Sequence, residues 1–291
     1  MPTVLMIQSA AKEASAIPGY NLNKNTSSEK PDDSSGIKLC LLASGSKGNS
    51  IYISDGQTSV LIDAGLSGVE IERRMKANNL APENLDAIIV SHEHADHIHG
   101  VGVLSRRFAI PVHISHKTRD AASSLLGRID EFNIFECGTG FNINDIYFHP
   151  FSLSHDAKDT AGFTVSKNKT KIGIATDLGI ATTIVKEHLK MCSILILEAN
   201  HDPDMLVNGP YPWPLKQRIK SRAGHLSNED SKVLLQEIVH DNLEHVILSH
   251  LSETNNTPEK ALSVVGCALT CCKTRIDVAR QDRCGAMIWA S

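Results

Sequence analysis

The sequence predicts an α+β protein in which two mixed sheets pack face to face, with helices on the outside. Three observations carry this. From Ile37 onward, short apolar runs bounded by Gly, Asn, Asp and Ser recur as strand signals. Segments of helical period separate them. The second half then repeats the rhythm of the first, with no short-period repeat.

Residues 1–36 stand outside this pattern. The stretch NLNKNTSSEKPDDSSG is polar and aperiodic, and reads as a disordered extension. The folded domain is therefore expected over 37–291. IKLCLLASG opens it as a strand, SGSKGNS turns the chain, and IYISDG and TSVLIDAG follow as strands. A helix is expected from about residue 67 to 79, capped by Ser67. LDAIIVS is a buried strand, IHGVGVLSRRF a helix, IPVHIS a strand and KTRDAASSLLG a helix. DIYFHPFSLSHD, AGFTVSK and TKIGIATDLG are strands, IATTIVKEHLK a helix and CSILILEAN a strand. SNEDSKVLLQEIVHD is a helix capped by Ser227, followed by the strand LEHVILSHL and the helix TPEKALSVVGCAL. RIDVARQD reads as the last strand.

The formal net charge of −4 argues against a surface coated with positive charge for nucleic acid. It leaves room for a local basic patch or for bound cations. The seven cysteines form no CxxC pair and read as reduced thiols of a cytoplasmic protein. Cys271 and Cys272 would point about 100° apart on a helix, which disfavours a metal cluster with Cys267. No apolar run approaches the roughly 20 residues of a membrane span. The N-terminus has no basic region of the kind that opens a signal peptide.

VSHEHADHIHG, residues 90–100, holds four of the fourteen histidines. On extended chain His92 and His94 project to one face, so both can grip one ion. Asp96 and His97 lie at the turn into a helix and point elsewhere, so one loop can serve two adjacent ions. Imidazole with carboxylate suits Zn²⁺, Mn²⁺ or Fe²⁺. Further donors close apolar strands: His155 after FSLS, Asp177 after IGIAT and His250 after HVILS. Asp177 has two oxygens and could bridge two cations.

From about residue 37 onward, the chain resembles the metallo-β-lactamase superfamily, whose hallmark is HxHxDH followed by His, Asp and His in this order. The resemblance implies a four-layer αββα sandwich and two divalent metal ions. By it, His92, His94 and His155 hold one metal, and Asp96, His97 and His250 the other. Asp177 bridges them with a hydroxide between, and Asp63 in VLIDAG braces the metal loop. LASGSKGNS, LEANHDPDML and GHLSNED…VILSHLSETNN are similar to the YycJ-type (WalJ-type) proteins, regarded as bacterial 5′-to-3′ DNA exonucleases. AGHLSNED also resembles the surroundings of a characteristic His in tRNase Z enzymes.

The chemistry expected is hydrolysis of a phosphodiester in DNA, or in RNA, with Asp96, Asp177 and His225 as catalytic residues. Paired cations lower the pKa of a water and neutralise phosphoryl oxygens. His225, in a loop ahead of the helix capped by Ser227, is the candidate acid for the leaving alkoxide. Ser46 and Asn49 in the small-residue loop, and Lys220 and Arg222 in KQRIKSRAGH, are candidate substrate contacts. Tyr211 and Trp213 could stack on a base. The alternatives are a hydrolase of a small thioester, lactone or cyclic phosphodiester, an RNA-processing nuclease, or a non-catalytic scaffold. The complete donor set argues against the scaffold.

Overall fold

The computed structural model describes residues 36–270 and 272–290. The expected N-terminal extension, apart from Gly36, and Cys271 lie outside the described residues. The first half begins with β1 (Ile37–Ala43), β2 (Ser50–Ser54) and β3 (Ser59–Ile62). These pair as an antiparallel meander, with Cys40 opposite Tyr52 and Tyr52 opposite Leu61. Next come α1 (Gly68–Ala77), β4 (Ala87–Ile89), α2 (Ala95–Ile98), α3 (Val101–Phe108), β5 (Val112–Ser115), α4 (His116–Leu126) and β6 (Phe132–Phe135). Ser67 caps α1 by accepting from the amide of Glu70. Strands β3 to β6 run parallel because a helix or helical crossover separates each pair.

The second half follows the same plan. β7 (Phe141–Ile143), β8 (Ile146–Ser152), β9 (Ala161–Lys167) and β10 (Thr170–Ala175) are antiparallel neighbours. Then follow α5 (Thr183–Leu189), β11 (Ile194–Glu198), α6 (Pro203–Asn208), α7 (Trp213–Ile219), α8 (Asn228–Ile238), β12 (His245–Ser249), α9 (Pro258–Val265) and β13 (Arg275–Val278). Strands β10 to β13 are parallel. The chain then returns to the first sheet as β14 (Ile288–Ala290), antiparallel to β1. The sheet orders are β14-β1-β2-β3-β4-β5-β6 and β13-β12-β11-β10-β9-β8-β7.

Alternation along the strands builds the layers. Leu39 and Leu41 on β1 face the second sheet and meet Phe148, Phe163 and Ile172 in the central core. Cys40 and Leu42 face the other way, with Ile71 and Met75 of α1 and Leu104 of α3. In the second sheet, Ile194 and Ile196 join the central core, while Leu195 and Leu197 pack against Val185 of α5 and Leu234 of α8. The result is the expected four-layer αββα sandwich. Fully burying one such side chain contributes about 1.5–3 kcal/mol. That explains why the strands read as near-continuous apolar runs rather than half-polar ones.

Six elements were not foreseen: α2, which reads as the turn into a helix, and five others. β6, β7 and β14 are three or four residues long, too short for a clear period. α6 and α7 sit in a proline-rich stretch that reads as loop, yet Pro203 and Pro214 occupy the first turns, where a missing N–H costs nothing. RIDVARQD is correspondingly not the last strand, because β14 follows it.

Candidate active site

The donors gather at one edge of the sandwich, where β3, β4, β10, β11 and β12 end. His92 and His94 follow β4, and Asp96 and His97 fall in α2. The Nε2 of His92 lies 3.1 Å from the Nδ1 of His94, which lies 3.3 Å from the Nε2 of His155. Tetrahedral Zn–N bonds of about 2.0–2.1 Å separate neighbouring ligand atoms by about 3.3–3.4 Å. The observed spacings are close to that geometry.

Hydrogen bonds behind the rings set which nitrogens face inward. The Ser91 hydroxyl donates to Asp63 Oδ2 at 2.7 Å, so it can only accept from His92 Nδ1 at 3.0 Å. Asp63 Oδ2 also accepts from His97 Nδ1 at 2.7 Å, and Oδ1 accepts from the Ser91 amide at 2.8 Å. His155 Nδ1 donates to the Gly224 carbonyl at 3.1 Å, and His250 Nδ1 to Glu198 Oε1 at 3.1 Å. Four imidazoles thus present Nε2 to the same space.

Asp177 lies between two donor sets. Its Oδ2 is 3.3 Å from His97 Nε2, and its Oδ1 is 3.5 Å from His250 Nε2 and 3.8 Å from His155 Nε2. Asp96 Oδ2 lies 3.6 Å from His250 Nε2 and 3.7 Å from His97 Nε2. Among the described residues, Asp177 Oδ2 and His250 Nε2 are buried with no hydrogen-bond partner. Leaving such atoms unsatisfied costs about 1–3 kcal/mol each, more for charged groups. Both point where the donor sets His92–His94–His155 and Asp96–His97–His250 converge, and Asp177 also groups with His92 and His97. This chemistry fits a pair of divalent cations.

The charge balance agrees. Burial works against charge on His250, but Asp177, Asp96 and Glu198 outweigh it and raise its pKa to about 10. Burial likewise opposes charge on His97, yet Asp177 and Asp63 hold its pKa well above the ordinary imidazole range. Burial would also push the Asp177 carboxyl up, but His250 and His97 keep it well below the carboxylate range. In the absence of cations, protons supply the positive charge the site requires.

Three site residues take the left-handed backbone region: Asp63 at φ 61°, Asp177 at 63° and His250 at 54°. Each lies within two residues of a strand end, and each such conformation costs on the order of 1–3 kcal/mol. The reversal swings the side chain off the strand's alternation and onto the sheet edge. Two glycines permit close approach. A Cβ at Gly65 would fall 1.6 Å from the Asp96 carbonyl oxygen, and one at Gly224 would fall 2.1 Å from the Ile219 carbonyl oxygen.

The donors open onto a cleft of about 270 Å³, whose walls include Ser46, Tyr211, Leu215, Arg218 and His225. His225 donates from Nδ1 to Glu198 Oε1 at 2.7 Å, which leaves Nε2 as its free nitrogen. Burial lowers the His225 pKa, but Glu198 more than offsets this and the net shift is upward. Glu198 Oε2 accepts from the amides of Leu178 at 3.0 Å and Leu226 at 3.2 Å. Glu198 was not anticipated, although a carboxylate closing the apolar run SILILE was a visible signal.

Three expected substrate contacts lie elsewhere. Asn49 is buried and turned inward: Oδ1 accepts from the Gly45 amide at 2.9 Å, and Nδ2 donates to the Gly45 carbonyl at 3.2 Å and lies 3.0 Å from His97 Nε2. It braces the α2 loop instead of lining the cleft. Lys220 and Arg222 line a separate groove with Lys186, Asp230 and Glu237. The basic residue of KQRIKSR in the cleft is Arg218. Trp213 is exposed, whereas Tyr211 lines the cleft. Cys267 bonds the Ser263 carbonyl, and among the described residues no cysteine joins a metal-capable group.

No helix among the described residues is long and apolar enough to cross a membrane. Residues 58–251 match the family model described as a beta-lactamase superfamily domain. The chain is 38% identical over 228 residues to exodeoxyribonuclease YycJ of Bacillus anthracis, covering 78% of this chain and 86% of that protein. It is 40% identical over 230 residues to exodeoxyribonuclease WalJ of Streptococcus pneumoniae, with the same coverage. Among solved structures, it is similar to the metallo-beta-lactamase fold protein YhfI from Bacillus subtilis. That match has a TM-score of 0.70 at 15% identity, over 88% of this chain and 99% of that one.

Proposed function

The chain belongs to the metallo-β-lactamase superfamily and is a metal-dependent hydrolase, and from that premise we propose that it is a dinuclear phosphodiesterase degrading DNA from 5′ to 3′. The observation that carries the proposal is the convergence of imidazole Nε2 atoms and the Asp177 carboxylate on one space, with Asp177 Oδ2 and His250 Nε2 lacking a hydrogen-bond partner among the described residues. DNA as substrate is carried over from the relatives named exodeoxyribonuclease.

In this reading His92, His94 and His155 would hold one cation and Asp96, His97 and His250 the other, with Asp177 shared. Such ions supply a water nucleophile at neutral pH and neutralise phosphoryl oxygens. The remaining work falls to the chain's own residues. Glu198 holds the Nδ1–H of His225, so the proton for the leaving alkoxide comes from Nε2. The carboxylate beside it keeps the imidazole protonated to higher pH. Asp63 and Ser91 keep His92 and His97 in the tautomers that present Nε2.

The test is incubation of the purified chain with end-labelled duplex DNA, RNA and a thioester, with and without chelator. DNA should be consumed from its 5′ end, and chelation should stop it. Turnover of the thioester or RNA with DNA untouched would overturn the proposal.

A further inference from the structure

Arg218 is the one basic side chain of its segment that enters the cleft, and its surroundings give it a defined posture. Its Nε donates to Asp156 Oδ2. Asp156 directly follows His155, and its Oδ1 lies 3.4 Å from His155 Nε2, the ring nitrogen facing His94. The carboxylate therefore stands between the histidine cluster and the guanidinium. A guanidinium carries five N–H donors. The contact to Asp156 uses the Nε edge, and the Nη groups have no hydrogen-bond partner among the described residues. Their side chain is half-exposed in a cleft wall that also holds Tyr211 and Leu215.

From this placement we infer that Arg218, oriented by Asp156, is an anion subsite that binds a second phosphate of the substrate, beside the one attacked at the histidine cluster. The inference rests on the phosphodiesterase reading and names what lies next to the scissile group. An arginine fork matches two phosphate oxygens, and pinning one edge in advance reduces the ordering lost on binding. The pairing with Asp156 occupies only the Nε edge, so a phosphate oxygen can reach the outer Nη edge without displacing the carboxylate. The second phosphate has two sources, a chain terminus or the next internal linkage.

The test is equilibrium binding to the metal-loaded full chain of phosphorothioate-linked thymidine oligonucleotides, whose linkage slows cleavage. The ligands are the plain dinucleotide, the same with a 5′-phosphate, the same with a 3′-phosphate, and the trinucleotide. The wild-type protein should favour at least one ligand with an added phosphate over the plain dinucleotide, and that ligand identifies the source. Arg218→Ala should remove that preference, a loss of about 10- to 100-fold for the preferred ligand, with far less change for the plain one. Asp156→Asn should cause a smaller loss of the same selective kind, with metal content unchanged. Equal losses on all ligands, or none, would overturn the subsite. Loss of metal in Asp156→Asn would overturn the positioning role. Turnover of labelled duplex DNA is read separately. A chain that keeps the Arg218-dependent preference but digests no DNA refutes the nuclease reading alone, and one that digests DNA without it refutes the subsite alone.

Discussion

Asp63 and Glu198 are both buried at the end of a strand, and each accepts from a backbone amide and from imidazole Nδ1–H groups. They differ in reach. The donors to Asp63 come from one loop: the Ser91 amide and hydroxyl, and His97. The donors to Glu198 come from three segments far apart in sequence: Leu178, then His225 with Leu226, then His250. The first half of the site is thus organised locally. The second half exists only when β10, β11 and β12 are in register, with Ala175 beside Leu197 and Leu197 beside Leu248. A site of this kind has one robust side and one that depends on a single carboxylate.

The largest effects should come from the donors themselves. His94→Ala and Asp177→Ala should both bring turnover below detection. They should differ in metal analysis by mass spectrometry. His94 belongs to one donor set and should cost one cation per chain, whereas Asp177 touches both and should cost both. Two retained cations in Asp177→Ala would break the picture of a shared ligand.

His225→Ala should lower turnover of DNA by about 10²–10⁴ with metal content unchanged. On a nitrophenyl phosphodiester, whose leaving group needs little protonation, the loss should be much smaller. Equal losses on the two substrates would reassign His225 from proton donor to substrate positioning.

The two braces give the direct comparison. Glu198→Gln turns an amide NH₂ toward either two imidazole N–H groups or two backbone amides, and should cost about 10- to 100-fold in activity. Asp63→Asn should cost less, about tenfold, because its amide NH₂ would oppose one imidazole N–H, that of His97, instead of two, while the Ser91 hydroxyl can rotate to accept from it. Steady-state rates and thermal melts of both variants check the order. A larger loss at Asp63 would reverse the assignment of the robust side.

The smallest signal is a proton count. Without metal, the His250 pKa is raised to about 10, so at pH 8 the imidazole carries a proton that a cation must displace. Metal uptake at pH 8 should therefore release protons, and affinity should rise with pH up to about 10, by about tenfold per unit for each proton displaced. Calorimetry in buffers of different ionisation enthalpy measures it. Uptake without proton release would show that His250 is neutral before binding.

The loop half was legible because His92, His94, Asp96 and His97 are contiguous and strand spacing alone assigns their faces. His155, Asp177 and His250 were legible as polar residues closing apolar strands. Glu198 carries the same signal, but its importance lies in four donors that only the folded sheet assembles. Arg218 could not be told from Lys220 and Arg222 without knowing that α7 exists and ends at Ile219, leaving the latter two to follow the chain into the neighbouring groove. Asn49 looked like a substrate contact because exposed and inward-turned amides are identical in sequence.

β14 has a consequence for how the domain is completed. Ile37, at the start of β1, pairs with Ala290, and the approach to β14 is held by the Gly285 amide on the Leu41 carbonyl and by Arg74 on the carbonyls of Leu42 and Gln281. During ribosomal synthesis, β1 can pair with β2 early, but its other edge stays open for some 250 residues of translation, until its partner emerges. An apolar strand with an open edge is a template for intermolecular pairing, and contacts this distant in sequence form slowly. Nascent chains stalled before β14, or shortened by its loss, should therefore be the species that chaperones retain and that aggregate, even though every donor of the metal site has already been made.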